Sequence, residues 1–387
     1  MLIGIPKEIM YKEKRVAALP ETIEKFKNLG FDVLVETNAG AGVFVDDEQY
    51  RNAGADIAAD AAEVFEKADI VLKVKEPLFN EQFNTHEIDM IKENTILITF
   101  LHPAAPSNHD DVKKLQQRQI TAFTMDGIPR ISRAQRMDPL TSMSAITGYK
   151  SIIIAAANFP KFVPMIGTSI GMIKPANILV IGTGVVGLQA IATGKRLGGV
   201  VKAVDIRPDA KKEAESLGVK VVGFDAPADL VIGEGGYAKA LSDDWLEKER
   251  QALAPLVAEA DIIVLSALVP GEVAQTLVTR KMVETMKAGS VIVDVSIDQG
   301  GNCEITDPGK EFIHNGVYIC GIKNIPGSLP VHSSWLYANN LYYFVENLFT
   351  NKTTDFDMTD EIIKDALVTH KGELFHKGTR KAMGLSD

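Results

Sequence analysis

Cysteine is nearly missing from this 387-residue chain: Cys303 and Cys320 are the only two. Two thiols cannot build a disulfide framework, and no metal-type Cys/His spacing surrounds them. No metal is expected, and a reducing cytoplasm is the simplest compartment. A basic excess is also lacking. Lys plus Arg number 41 against 51 Asp plus Glu, a net charge of −10, so nothing is left over to neutralise the phosphates of a nucleic acid. Long apolar runs are absent as well. Residues 151–173 come nearest to a membrane span, but Pro160, Lys161 and Pro164 interrupt them well short of the roughly 20 apolar residues required. They read as a buried helix followed by a loop. The opening Met1-Leu-Ile-Gly-Ile-Pro-Lys-Glu lacks the apolar core of a signal peptide, and no solenoid repeat or low-complexity segment appears. What remains is 46% hydrophobic and 24% charged, the composition of a soluble globular protein long enough for two domains.

The most informative segment is Ile178-Leu-Val-Ile-Gly-Thr-Gly-Val-Val-Gly187, an apolar strand running into a glycine fingerprint and then a helix-forming run. Gly182 permits the tight turn, Gly184 lets the backbone approach a pyrophosphate, and Gly187 allows close helix–strand packing, with the phosphate charge at the helix N-terminus. A second strand, 200–204, ends in Asp205, eighteen residues beyond Gly187, where a carboxylate accepts hydrogen bonds from an adenosine ribose. The pattern predicts NAD(H). Asp205 would repel the 2′-phosphate of NADP(H), although Arg207 is of the type that accommodates one. The candidate coenzyme set is therefore Gly182, Thr183, Gly184, Val185, Val186 and Gly187, with Asp205, Ile206, Arg207, Ala267 and Leu268. The plainer alternative is an ordinary strand-to-helix turn with a solvated acid.

Short apolar runs alternate with amphipathic stretches along the chain. Residues 2–5, 32–36, 70–73 and 95–99 read as strands, with helices at 20–29, 47–52 and 110–117. A second series of strands covers 178–181, 200–205, 219–222, 262–266, 291–295 and 317–321. Helices at 335–348 and 360–367 close the chain. This is the rhythm of parallel sheets covered by helices on both faces. The expected fold is α/β, two Rossmann-like doubly wound domains with a cleft between them: 1–142 plus 327–387, and a nucleotide-binding domain at 143–326. A helix at 149–159 would connect them. Residues 225–236, rich in glycine and acids, read as a loop.

Further candidates lie in the first domain. Arg15 precedes Val16-Ala-Ala, while Lys75 and His102 sit just past the carboxyl ends of strands, where open α/β sheets bind ligands. Singly, each is as well explained as a surface lysine or a strand-capping histidine. The arginine-rich stretch 125–138 shows no clear period and reads as an exposed loop, or a solvated basic linker.

Several segments carry a resemblance. Leu188-Gln-Ala-Ile-Ala-Thr-Gly-Lys-Arg-Leu-Gly, Gly235-Gly-Tyr-Ala-Lys, Pro129-Arg-Ile-Ser-Arg-Ala-Gln and Gly300-Gly-Asn-Cys with Thr306-Asp-Pro-Gly together resemble the NAD(H)-binding component of proton-translocating nicotinamide nucleotide transhydrogenase, a family homologous to alanine dehydrogenase. The resemblance spans nearly the whole chain and is most specific at 129–135. It implies a Re/Si-specific NAD(P)+ transhydrogenase component that passes hydride directly between NAD(H) and NADP(H) held on a partner subunit. Arg130 and Asp138 would orient the nicotinamide end, and Gln135 would reach toward the partner's nucleotide. Thr141 stands where the family usually has serine, and Tyr237 would belong to a loop closing over the coenzyme. Hydride transfer needs two rings in contact with water excluded, which positioned groups and closing loops supply. The resemblance further implies a homodimer, peripheral at the cytoplasmic face of the membrane, with membrane-spanning and NADP(H)-binding functions on other polypeptides.

Two departures stand out. Arg136 replaces a usually small residue, and Asp298 in Ser296-Ile-Asp-Gln-Gly-Gly is the form seen in alanine dehydrogenases. Arg15, Lys75 and His102 also match that family's substrate positions. The alternative is therefore an alanine dehydrogenase, in which Arg15 and Lys75 pair with a substrate carboxylate and His102 and Asp298 manage protons. Segment 129–138 separates the two readings in favour of transhydrogenase. A catalytically idle NAD-binding regulator is a third class, and its mark would be loss of that segment and of the ionic set. Both are present.

Overall fold

The computed structural model describes residues 1–233, 238–269, 273–350 and 356–385. The chain divides into two compact units, Met1–Met143 with Gly327–Asp387, and Ser144–Pro326. Each is built on a parallel-dominated sheet, as the alternating apolar runs predict.

In the first unit, runs such as Ile70–Leu72 and Ile96–Thr99 are buried at every position, the signature of strands covered on both faces. The sheet order is Glu373–Leu374, Leu367–His370, Thr121–Thr124, Ile96–Thr99, Ile70–Leu72, Leu2–Ile5, Asp32–Glu36, Asp56–Ala58. The six strands from Thr121–Thr124 onward are parallel, and the last two strands of the chain add an antiparallel edge. The first strand lies between Asp32–Glu36 and Ile70–Leu72, so the connections diverge at its carboxyl end, where such sheets leave a crevice. Helix Pro330–Leu348 places Tyr337, Leu341, Phe344 and Val345 in the same core as Ile3, Phe26 and Val35.

The second unit repeats this plan. Its order is Lys220–Val221, Val200–Val204, Asn177–Ile181, Ile262–Leu265, Val291–Asp294, Val317–Cys320, Glu311–His314, all parallel except the last. Here too the first strand, Asn177–Ile181, sits at the divergence, and the fingerprint follows it directly.

Several elements differ from the sequence reading. The helix expected at 149–159 begins ten residues earlier, as Pro139–Asn158. Its first half, Thr141-Ser-Met-Ser-Ala-Ile-Thr-Gly, is poor in helix formers. The start is secured by Asp138, which accepts the Thr141 N–H at 3.0 Å and the Thr141 hydroxyl at 2.6 Å. The loop expected before residue 173 contains a hairpin, Ile166–Thr168 with Gly171–Ile173. The helix expected through 367 stops at Ala366, and Leu367 opens a strand that pairs with Thr121–Thr124 on one side and with the edge strand Glu373–Leu374 on the other. Among the described residues of 225–236, Ala228–Val231 forms a helical turn. Among the described residues no helix is long and apolar enough to cross a membrane.

Candidate functional site

At the divergence point of the second sheet, Gly182 has φ +88°, a left-handed conformation that favours glycine. A β-carbon there would lie 2.6 Å from the carbonyl carbon of Ser266 and 2.7 Å from the nitrogen of Ala267. The turn therefore passes against the end of the neighbouring strand. A β-carbon on Gly187 would lie 1.9 Å from the Gly182 carbonyl oxygen, which is how closely helix Val185–Arg196 seats on the turn. Gly184 is the opposite case: its β-carbon would meet nothing within 4 Å. No side chain caps the helix at Gly184, so the first-turn N–H groups and the helix dipole face an open approach suited to an anion. These residues fit a dinucleotide pyrophosphate.

Asp205 ends the adjacent strand with 6% of its surface exposed. One carboxylate oxygen accepts from the Thr183 N–H at 2.7 Å and its hydroxyl at 3.1 Å. The other accepts from the Arg207 N–H at 2.9 Å and Nε at 3.1 Å. Thr183, Asp205 and Arg207 are thus one assembly. Ala267 is held by Asn302, whose amide bonds both its N–H and its carbonyl at 2.9 Å. Leu268 follows Ala267 and is half-buried. Tyr237 lies outside the described residues. Glu249, on the buried face of helix Asp243–Glu259, has its pKa pushed up to about 7 by burial and by the charge of Asp205.

The first unit carries an ionic cluster at its own divergence point. Lys73, wholly buried, lies 3.1 Å from Glu87 and 3.6 Å from Glu8. Burial opposes its charge, but these carboxylates outweigh it and hold the pKa above the ordinary lysine value. Glu8 accepts the Val74 N–H at 2.6 Å and the Lys75 N–H at 3.4 Å, and Glu87 accepts that of Leu78 at 2.9 Å. Together they staple the segment that presents Lys75. Burial lifts the pKa of Glu8 to about 7. Arg15 is buried and bonded through Nε and Nη2 to the two oxygens of Glu13, at 2.8 and 2.7 Å.

His102 stands half-exposed in a left-handed conformation, φ +45°. Its Nδ1 lies 2.9 Å from Asp126, which also accepts the His102 N–H at 2.8 Å and the Thr124 hydroxyl at 2.6 Å. Burial disfavours the charged ring, yet the Asp126 hydrogen bond and charge prevail and raise the His102 pKa. Asp298 belongs to the second unit, exposed on the turn Val295–Gln299.

The arginine-rich stretch is more ordered than a loop without period. It contains 3-10 turns at Met125–Gly127 and Ser132–Met137. Ala134 and Met137, three apart as that turn requires, point into the core. Arg133 forms a fork with Asp360 at 2.6 and 2.9 Å. The Arg136 guanidinium stacks 3.5 Å above the Tyr343 ring, and its carbonyl accepts from Asn340. Arg130 and Gln135 face outward, whereas Asp138 and Thr141 bond each other at the start of the following helix.

Sequence reasoning assigned no role to Glu8, Lys73, Glu87, Asp126, Glu249 or Asn302. A signal existed for two of them: Glu8 follows the first strand at its carboxyl end, and Lys73 closes an apolar run.

The model of the alanine dehydrogenase/PNT N-terminal domain matches residues 4–147, and that of the C-terminal domain matches 151–377. The chain is 42% identical over 380 residues to the first portion of the NAD(P) transhydrogenase alpha subunit of Rhodospirillum rubrum, covering 97% of this chain and 98% of that one. Among solved structures, a transhydrogenase from Sinorhizobium meliloti superposes with a TM-score of 0.83 at 36% identity, over 97% of this chain and 99% of that one. An L-alanine dehydrogenase gives 0.83 at 28% identity, over 99% of both. A glycine turn on a doubly wound sheet, a second such sheet with an ionic cluster, and these likenesses along both units have one consequence: the chain belongs to the alanine dehydrogenase/PNT family of oxidoreductases.

Proposed function

We propose that this chain is the NAD(H)-binding subunit of a proton-translocating, Re/Si-specific transhydrogenase, exchanging hydride with NADP(H) on a partner subunit. One observation carries the reading: segment 129–138 is anchored from behind by Arg133, Ala134, Arg136 and Met137, while Arg130 and Gln135 face outward. An anchored turn with two outward polar residues suits docking of a second protein. When bound, NAD(H) supplies the hydride-carrying ring. The fingerprint from Gly182 to Gly187 would hold the pyrophosphate, Asp205 with Ile206 and Arg207 the adenosine ribose, and Ala267 and Leu268 the nicotinamide side. Arg130, Gln135, Asp138 and Thr141 would orient the ring and keep water out, and Tyr237 would close over it. No residue need abstract a proton.

The expected partners are the NADP(H)-binding and membrane-spanning subunits, with this chain peripheral at the cytoplasmic face. A homodimer is supported by the hairpin after Asn158. Met165, Ile170 and Met172 are 60%, 97% and 65% exposed, beside a cavity of about 680 Å³ lined by Phe159, Phe162, Ile173 and Val200. Exposed apolar surface of this kind marks an interface.

The deciding experiment mixes the chain with a matching NADP(H)-binding component and follows hydride exchange between an NADH analogue and NADP+. Gln135→Asn is expected to slow exchange with NADH binding retained. Alanine dehydrogenase is the second reading, favoured by the His102–Asp126 pair beside Lys75. Reduction of NAD+ by L-alanine at ordinary enzymatic rates, catalysed by the isolated chain, would establish it instead.

A further inference from the structure

Asn302 follows two left-handed glycines, Gly300 and Gly301, with φ +105° and +87°, and its side chain is wholly buried. Its Oδ1 accepts from the Ala267 N–H at 2.9 Å and from the Ser296 hydroxyl at 2.7 Å. Its Nδ2 donates to the carbonyls of Ala267 and Gln275, both at 2.9 Å. An amide side chain offers two donor hydrogens and two acceptor lone pairs, so every position is used. The Asn302 main-chain carbonyl takes the N–H groups of Leu277 and Val278 at 2.8 and 3.0 Å. Three segments therefore meet at one residue: the end of strand Ile262–Leu265, the turn Val295–Gln299, and residues 274–278.

The same strand end is tied on its other side to the fingerprint. The Ser266 hydroxyl donates to the Gly182 carbonyl at 2.9 Å, and the Ser266 N–H donates to Ile181 at 2.8 Å. Ser266 and Ala267 thus bridge the glycine turn and Asn302.

We propose that Asn302 is a positioning residue that sets where the nicotinamide half of the coenzyme lies relative to the glycine turn. The inference rests on the NAD(H) reading. The Ala267 N–H belongs to the peptide unit that joins it to Ser266 and its carbonyl to the one that joins it to Leu268, so the amide holds both planes flanking Ala267 and fixes the direction in which the chain leaves it toward Leu268. No other side chain of this size offers two donors and two acceptors at once. Aspartate lacks the donors, and alanine leaves buried polar groups of Ala267, Gln275 and Ser296 unpaired. Because all its amide atoms are spent inside the protein, Asn302 acts through Ala267 and does not itself reach the reacting ring. Hydride transfer is sensitive to placements of about 1 Å, so the effect falls on the nicotinamide end alone.

ADP-ribose, which lacks the nicotinamide, separates the two halves. Titration calorimetry with NADH and ADP-ribose is run on the wild-type chain, on Asn302→Asp and on Ser296→Ala. The last removes one of the four bonds and guards against misfolding of the first. ADP-ribose affinity is expected to stay within about threefold, while the advantage of NADH over ADP-ribose falls about tenfold in Asn302→Asp, the loss of roughly one buried hydrogen bond. A smaller fall in the same direction is expected in Ser296→Ala. An unchanged ratio in either folded variant, or equal losses for both ligands, overturns the proposal while leaving the coenzyme reading intact. Failure of the wild-type chain to bind either ligand overturns both.

Discussion

Asp205 and Arg207 are joined by a two-point ion pair, Nε to one carboxylate oxygen and Nη2 to the other, each at 3.1 Å. The arginine type that could welcome a 2′-phosphate is thus committed to the acid that would repel one.

Asp205→Asn is therefore expected to weaken NADH binding about tenfold and to narrow or reverse the preference over NADPH, because Arg207 is released from its partner. Affinities for both coenzymes measured side by side check this. An unaltered NADH/NADPH ratio would count against the ribose role of Asp205.

Two fingerprint glycines are expected to separate stability from binding. Gly187→Ala drives a methyl group into the Gly182 carbonyl and is expected to cost about 1–3 kcal/mol of stability, with binding lost alongside. Gly184→Ala meets no protein atom within 4 Å and its φ is −71°, so its melting temperature should hold while NADH binding falls. If Gly184→Ala binds NADH normally, the pyrophosphate does not approach there.

Glu249 predicts a pH dependence of stability. Its folded pKa, about 7, lies above the ordinary 4.5, so the folded chain binds the extra proton between those values. Stability then falls as pH rises from about 4.5 to about 7, and the loss is complete above that. Glu249→Gln, a neutral mimic, should be the more stable protein at pH 8 by on the order of 1–3 kcal/mol. Urea unfolding from pH 5 to 8.5 reads the difference. Glu8 is displaced to a similar value, so the wild-type slope should shrink in the variant without vanishing.

Asp126 should govern the titration of His102. Asp126→Asn removes the charge that outweighs burial, so the His102 pKa is expected to fall, as followed by NMR of its ring protons. An unchanged titration would mean that the 2.9 Å contact does not hold the proton on Nδ1.

Legibility in the sequence tracked how local each feature is. The fingerprint was readable because glycine spacing, the preceding apolar run and the acid at Asp205 all express one strand–turn–helix–strand unit. The first-unit strands at 2–5 and 32–36 were readable for the same reason, being apolar runs bounded by turn residues. By contrast, Leu367–His370 becomes a strand by pairing with Thr121–Thr124 across more than 240 residues, and Thr121–Thr124 is itself held on its other side by Ile96–Thr99. Helix Pro139–Asn158 owes its start to the Asp138 cap, not to a strong period. Segment 125–138 looked like a loop because Ala134 and Met137 define one short 3-10 repeat, and the partners that order it, Tyr343 and Asp360, lie some 200 residues away.

The amino-acid order alone thus determined a pair of doubly wound sheets, the glycine turn and the family resemblance, since each rests on neighbours along the chain. Only the tertiary structure decided that Arg15 pairs with Glu13, that Lys73 sits buried among carboxylates, and that Asn302 clasps Ala267. Burial and hydrogen-bond partners are set by which segments the fold brings together, and one-dimensional spacing does not encode those encounters.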